Sequence, residues 1–261
     1  MPLDFLSPGA QPLPGYECQK DMGGSVYYRL WRMKAPDGTQ KMWKAIDLVV
    51  GNATVETRNL ELLVKLRHPH LNTLTHYHSL PEFKCLIIET DVPHKSLRER
   101  LSECKALGLP GVPAAELTAF IQQAADGLDF LNAPRHQFQS QMVAIYHRDL
   151  RPESLLLFRE EGKLVCKVSD FGLAKPVSEQ VAQHSQGLVH FDYDPPEFYE
   201  GTTSPTSDQY ALSINYYELR CGRLPFQGTM LEQLSARLSD KPDLSGVDER
   251  EREVLRRALA K

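Results

Sequence analysis

The sequence lacks several features that would narrow its function at once. Its 261 residues hold five cysteines, Cys18, Cys85, Cys104, Cys166 and Cys221, odd in number and with no Cys-x-x-Cys pair. That speaks against a disulfide framework or a cysteine zinc site and predicts reduced, mostly buried thiols. Lys and Arg number 30 against 34 Asp and Glu, so there is no basic surplus to draw nucleic acid. No apolar run approaches the roughly 20 residues that span a bilayer. The opening "MPLDFLSPGAQPLPG" has neither the basic start nor the apolar centre of a secretory signal. These absences together predict a cytoplasmic location. Repeats and low-complexity tracts are missing too.

What is present is ordinary for a soluble globular chain: 41% hydrophobic and 25% charged residues. The length suits one large domain or two packed lobes. Residues 1–15, with four prolines and two glycines, read as an extended leader. Residues 16–88 are strand-rich: "SVYYRLWRM" and "QKMWKAIDLVV" flank the turn "APDGT" and predict a hairpin. "VETRNLELLVKLRH" follows as an amphipathic helix on Leu60, Leu63, Val64 and Leu66, and "FKCLIIE" as a buried strand. Residues 89–95 join this lobe to 96–261, where "AAELTAFIQQAADGLDFLN", "SDQYALSINYYELRCG" and "EREVLRRALAK" are helical by period and propensity. The fold class expected is α+β.

Chemistry concentrates in "IYHRDLRPESLLLF" and "KVSDFGLAK". "LLLF" and "LVCKVS", joined by "REEGK", predict a hairpin whose two ends bring Asp149 and Asp170 near each other. Two carboxylates so placed suit two jobs. One orients and accepts the proton of an attacking hydroxyl, while the other holds magnesium on a nucleotide's phosphates.

"HRDLRPES", "DFG", "PPE" at 195–197 and "SDQYALSINYYELRCGRLPF" resemble the serine/threonine protein kinase family, the last stretch with a bacterial cast. The resemblance runs from about Tyr16 to the end. It implies a two-lobed kinase-like fold with a small β-rich lobe, a larger helical lobe, and ATP with Mg2+ in the cleft between. It also implies γ-phosphoryl transfer to a protein substrate. A pseudokinase that binds a signalling partner is the alternative.

By that resemblance Asp149 takes the substrate proton, His147 and Arg148 support its loop, and Arg151 steadies the transferred group where a lysine is usual. Asp170 is the magnesium ligand, with Ser154 in place of an asparagine for a second ion. Lys44 is the nucleotide lysine, preferred over a register that would substitute Asp47. Met42 lies over the adenine, and Glu56 pairs with Lys44 in preference to Asn59. Glu89 and Asp91 in the joining segment lie beside the nucleotide. Asp208 bonds the catalytic-loop backbone.

The resemblance is looser elsewhere. "QKDMGGSV" keeps only Gly24 and Val26 of the glycine loop, with Gln19 and Asp21 replacing glycines; an aspartate there brings negative charge toward phosphates. His190 replaces a threonine. The segment 170–197 offers Ser178, Ser185 and Tyr193 as hydroxyls, and a phosphate on Ser185 would give Arg148 an anionic partner. In the family a helix beyond "RRALAK" supplies an arginine to the glutamate matching Glu197. The expectation is a shortened domain in which Arg256 or Arg257 takes that place and packing weakens at that end.

The histidines of "HPHLNTLTHYH" carry no metal reading, since 68 and 70 flank a proline and 76 and 78 alternate along a strand. Trp31 and Trp43 are expected to be packing residues.

Overall fold

The computed structural model describes residues 6–24, 28–47, 60–138, 140–171 and 192–260. The chain divides into two units, Met1–His68 with Asn72–Pro93, and Pro69–Leu71 with His94–Lys261.

The first unit is a five-stranded antiparallel sheet. Its strands are β1 (Glu17–Gly24), β2 (Tyr28–Lys34), β3 (Gln40–Asp47), β4 (His76–Leu80) and β5 (Cys85–Asp91), in the order β1-β2-β3-β5-β4. The predicted hairpin forms, with Trp31 opposite Trp43 and Leu30 opposite Lys44. Alternation then sorts the side chains. Trp31, Met33, Trp43, Ala45, Cys85 and Ile87 pack in one buried cluster with Leu6, Cys18 and Leu80.

The leader packs on the sheet. Leu6 is buried in that cluster, Ala10, Leu13 and Tyr16 pack against it, and the backbone is tied down by Gly9 N–H to Cys18 O and Cys18 N–H to Ala10 O. Two indoles on one sheet face need an apolar cover, and the proline-rich turns supply it. Of the helix expected over 55–68, residues 60–63 are helical, with Leu60 and Leu63 buried.

In the second unit a short strand β6 (Lys95–Ser96) leads into α1 (Leu97–Ala106), whose N-terminus is closed by a Ser96–Glu99 capping box. Then come α2 (Ala114–Asn132), a small hairpin β7 (His136–Phe138) and β8 (Gln141–Val143), and the hairpin β9 (Leu155–Glu160) and β10 (Lys163–Val168). Helices α3 (Ser207–Cys221), α4 (Met230–Leu238) and α5 (Glu249–Ala258) complete it. Helix α3 is buried on nearly every side. Tyr210, Ile214 and Tyr217 from it join Phe226, Leu244, Val247, Leu255 and Leu259 in one cluster.

At this end Leu255 and Leu259 join that cluster. Helix α5 carries its own capping box, Asp248 with Glu251, and buries Leu255. The expected partner of Glu197 is corrected. Its carboxylate accepts hydrogen bonds from the hydroxyls of Ser204 at 2.8 Å and Ser207 at 2.5 Å, while Arg256 pairs with Glu249. Two short hydroxyls already held at the start of α3 solvate the carboxylate without burying a second charge.

Candidate active site

The loop 145–154 is held from below by α3. Asp208, 1% exposed, accepts the backbone N–H of His147 at 2.8 Å and of Arg148 at 3.1 Å. Two turns on, the Asn215 amide donates to Leu150 O at 3.0 Å. A spacing of seven puts both on one helical face, so one rigid helix fixes the loop at two points.

His147 is fully buried and ties this loop to the residues just past β10 that lead to Asp170. Its Nε2–H donates to Ser169 O at 2.7 Å, and its Nδ1 accepts from Asp149 N–H at 3.3 Å, which selects the Nε2–H tautomer. Ser169 N–H donates to Ser154 O at 2.8 Å, so both backbone groups of the residue before Asp170 are bonded to the loop. The β9–β10 register, Leu155 opposite Val168, makes this possible. Asp149 lies exposed at the loop's surface.

Two residues here occupy the left-handed backbone region without being glycine, Arg148 at φ 63° and Asp170 at φ 62°. Such conformations cost on the order of 1–3 kcal/mol each and persist where surrounding structure imposes them. Here Asp208 and the Ser169 bonds do the imposing. Burial pushes the Arg148 guanidinium below its ordinary range, with Asp208 pulling the other way.

Ser154 is not a free hydroxyl. It donates to Arg151 O at 2.8 Å and accepts Arg151 N–H at 3.1 Å, bracing the turn after Asp149. As a metal ligand it would have to give up part of that brace. Arg151 itself reaches Glu153 at 3.4 Å.

A neighbouring segment carries a second carboxyl. Asp194, with its Oδ2 sealed from solvent, is pushed up to about 8 by burial first and then by the charge of Asp149, against the pull of Arg237. Buried Arg237 on α4 donates to Asp192 O at 2.6 Å.

In the first unit Lys44 and Met42 lie on the sheet face opposite Trp43, and the Lys44 ammonium sits 4.6 Å from the Tyr28 ring centroid. The Trp43 face is the one the leader covers. Gly24 is required locally: a Cβ there would run into Tyr28 O and the Arg29 backbone across the β1–β2 pair. Asp21 is neutralised by an ion pair with Arg29, hydrogen-bonded through Nε at 3.0 Å and through Nη2, and it also accepts Gly23 N–H at 2.8 Å. The Arg29 bonds hold its carboxyl below the usual range. The anticipated charge clash with phosphates is thereby reduced at its source.

Glu89 is corrected. Its carboxylate is buried beside Trp43, accepting the indole N–H at 3.0 Å and the Thr75 hydroxyl at 2.8 Å, with His76 Nδ1 at 3.3 Å. Burial alone would raise its pKa; these partners and Tyr16 bring it below the ordinary value. Its carbonyl accepts Thr75 N–H at 2.8 Å. Glu89 is thus a structural hub on the face away from Lys44. The Asp91 carboxylate is held by Lys41 at 2.8 Å.

His76 and His78 are also corrected, because residues two apart on a strand share a face, and their rings stack at 6.4 Å. Among the described residues no group of three or more His, Cys, Asp or Glu could hold a metal. Val26, Glu56, Ser178, Ser185 and His190 lie outside the described residues. Tyr193 is described, and its hydroxyl is taken by Arg98 and Glu218.

Sequence reasoning missed Asn215 and Glu218. Both fall within about a quarter turn of the Asp208 side of α3, and that periodicity was the available signal.

Residues 20–257 match the family described as protein tyrosine and serine/threonine kinase. The chain belongs to the protein kinase family. Among its relatives, a U-box domain-containing protein 34 of Arabidopsis thaliana is 29% identical over 87% of this chain and 29% of its own length. The tyrosine-protein kinase Srms of Mus musculus is 31% identical over 78% of this chain and 38% of its own. The chain thus spans well under half the length of either. The crystal structure of Rad53 residues 1–466 with AMP-PNP superposes with a TM-score of 0.74 at 18% identity, covering 94% of this chain and 60% of that one, which establishes the α+β kinase fold. No described helix is long and apolar enough to cross a membrane.

Proposed function

We propose that the chain is a serine/threonine kinase domain that transfers the γ-phosphoryl group of ATP to a hydroxyl of a protein substrate in the cytoplasm. The observation that carries this reading is the double tie of the Asp149 loop to Ser169, next to Asp170, on a helix-fixed base.

Asp149, exposed and held by its backbone, accepts the proton of the incoming hydroxyl. Arg151 offers positive charge to the transferred group. Asp170 would hold Mg2+, a cation that takes one or two carboxylates together with phosphate oxygens and would neutralise charge on the transferred group. Lys44 contacts the nucleotide phosphates, with Met42 on the same face beside the adenine. Gly24 and Val26 border them, Glu56 orients Lys44, and Asp91 contributes through its backbone. ATP supplies the activated phosphoryl group and its leaving group.

The second reading is a pseudokinase that binds a signalling partner, favoured by the engaged Ser154 hydroxyl and the structural duty of Gly24. Radiolabel transfer from ATP to a protein separates the two. The wild-type chain is expected to transfer label, and Asp149→Asn to lower the rate about 10²- to 10⁴-fold. A thermal shift with Mg-ATP that is lost in Asp170→Ala, without any transfer, would select the binding module.

A further inference from the structure

We propose that Arg98, on the first turn of α1, is a positioning residue for the transfer step. It locks the Asp149 loop to the segment around residue 193, an inference that rests on the kinase reading above. Its planar guanidinium is gripped on three sides. Nε reaches Glu153 Oε1 at 2.9 Å, four residues after Asp149. Nη1 donates to Glu218 Oε1 at 2.6 Å and Nη2 to Glu218 Oε2 at 3.2 Å. Nη2 also donates to the Tyr193 hydroxyl at 2.7 Å, which donates in turn to Glu218 Oε2 at 2.5 Å. The Arg98 backbone N–H donates to Pro152 O at 3.2 Å.

One residue therefore joins α1, the loop after Asp149, the segment leading to Pro195–Glu197, and α3. Helix α3 already fixes the same loop through Asp208 and Asn215. The Arg98 contacts add what those bonds do not, a link from the loop to Tyr193. That segment leads to the turn Pro196–Glu200 and is held on its other side by Arg237.

The chemistry of the link favours orientation over stability. Arg98 and Arg151 face Glu153 and Glu218, so the cluster is balanced in charge, and the Arg98 and Glu153 side chains are 31% and 43% exposed. The Arg98–Glu153 pair, this wet, stabilises the fold weakly, while Glu218, 12% exposed, is the drier end of the link. A rigid fork that binds both oxygens of one carboxylate and a second carboxylate at once fixes direction, which a lysine ammonium cannot do.

The test measures steady-state kcat and KM for ATP and for a protein substrate, with Tm, in Arg98→Lys and Tyr193→Phe. Arg98→Lys is expected to lower kcat about ten- to a hundredfold, as a reacting loop displaced by a fraction of an ångström would. Tm and KM for ATP should stay near wild type. Tyr193→Phe, which removes one hydroxyl and keeps the ring, should lower kcat in the same sense by less. Wild-type kcat in both variants overturns the inference and leaves the kinase reading standing. So does a loss in Arg98→Lys that follows a fall in Tm while Tyr193→Phe keeps full turnover. Failure of the wild-type chain to transfer at all removes the kinase reading itself, and is seen before any variant is made.

Discussion

The two units put the residues matching kinase motifs to different use. In the sheet unit the polar positions are satisfied within the sheet itself: Asp21 by Arg29 on the adjoining strand, and Glu89 by Trp43 and His76 on the strands flanking it and by Thr75 just before one of them. In the helical unit they are satisfied between a helix and a loop, Asp208 on α3 holding the backbone of His147 and Arg148. A motif letter in the first unit reports how the sheet closes. In the second it reports how one loop is aimed.

That contrast can be broken or sharpened by substitution. Trp43→Ala should cost about 3–5 kcal/mol, as large-to-small changes in a packed core do, and strip Glu89 of a donor. Denaturant unfolding would read it, and a cost under about 1 kcal/mol would mean the leader does not close that face. Asp208→Asn keeps shape but leaves one of two backbone N–H groups without its carboxylate oxygen, at about 1–3 kcal/mol. Here transfer should fall more than stability does, because the loop is what the carboxylate aims.

Asp194 gives a pH signature. Its folded value of about 8 lies above the roughly 3.9 of an unfolded aspartate, so the folded chain keeps a proton that the unfolded chain releases. Its contribution is full below about pH 4 and fades as pH rises through about 8, at a slope of up to roughly 1.4 kcal/mol per pH unit. Asp194→Asn should flatten that slope between pH 5 and 8, and an unchanged slope would place the proton elsewhere.

The smallest effect expected is at Arg29→Gln. Its pair with Asp21 is 29% exposed on each side, which sets its stability contribution below about 1 kcal/mol. A several-fold loss of Mg-ATP affinity on that change would make Asp21 part of the nucleotide site rather than of the sheet.

Much of this was legible from local signals. The "APDGT" hairpin, the β9–β10 hairpin and the Asp208 bonds follow from turn chemistry, alternation and the kinase resemblance. What was not legible depends on a partner that no local pattern announces. Four prolines and two glycines predict an extended leader, but nothing local says that Leu6 and Leu13 will pack in the cluster of Trp31 and Trp43. Glu197 looked destined for an arginine because two serines seven and ten residues on do not announce themselves as its solvent. His76 and His78 were misjudged for a simpler reason: a period of two brings such residues together.

The left-handed backbone at Arg148 and Asp170 has an evolutionary consequence. Glycine would relax either position, so selection for thermal robustness alone pushes both away from the charged side chains they carry. A library of this chain sorted only for heat resistance should enrich glycine at 148 and 170, and its hardiest members should be inert.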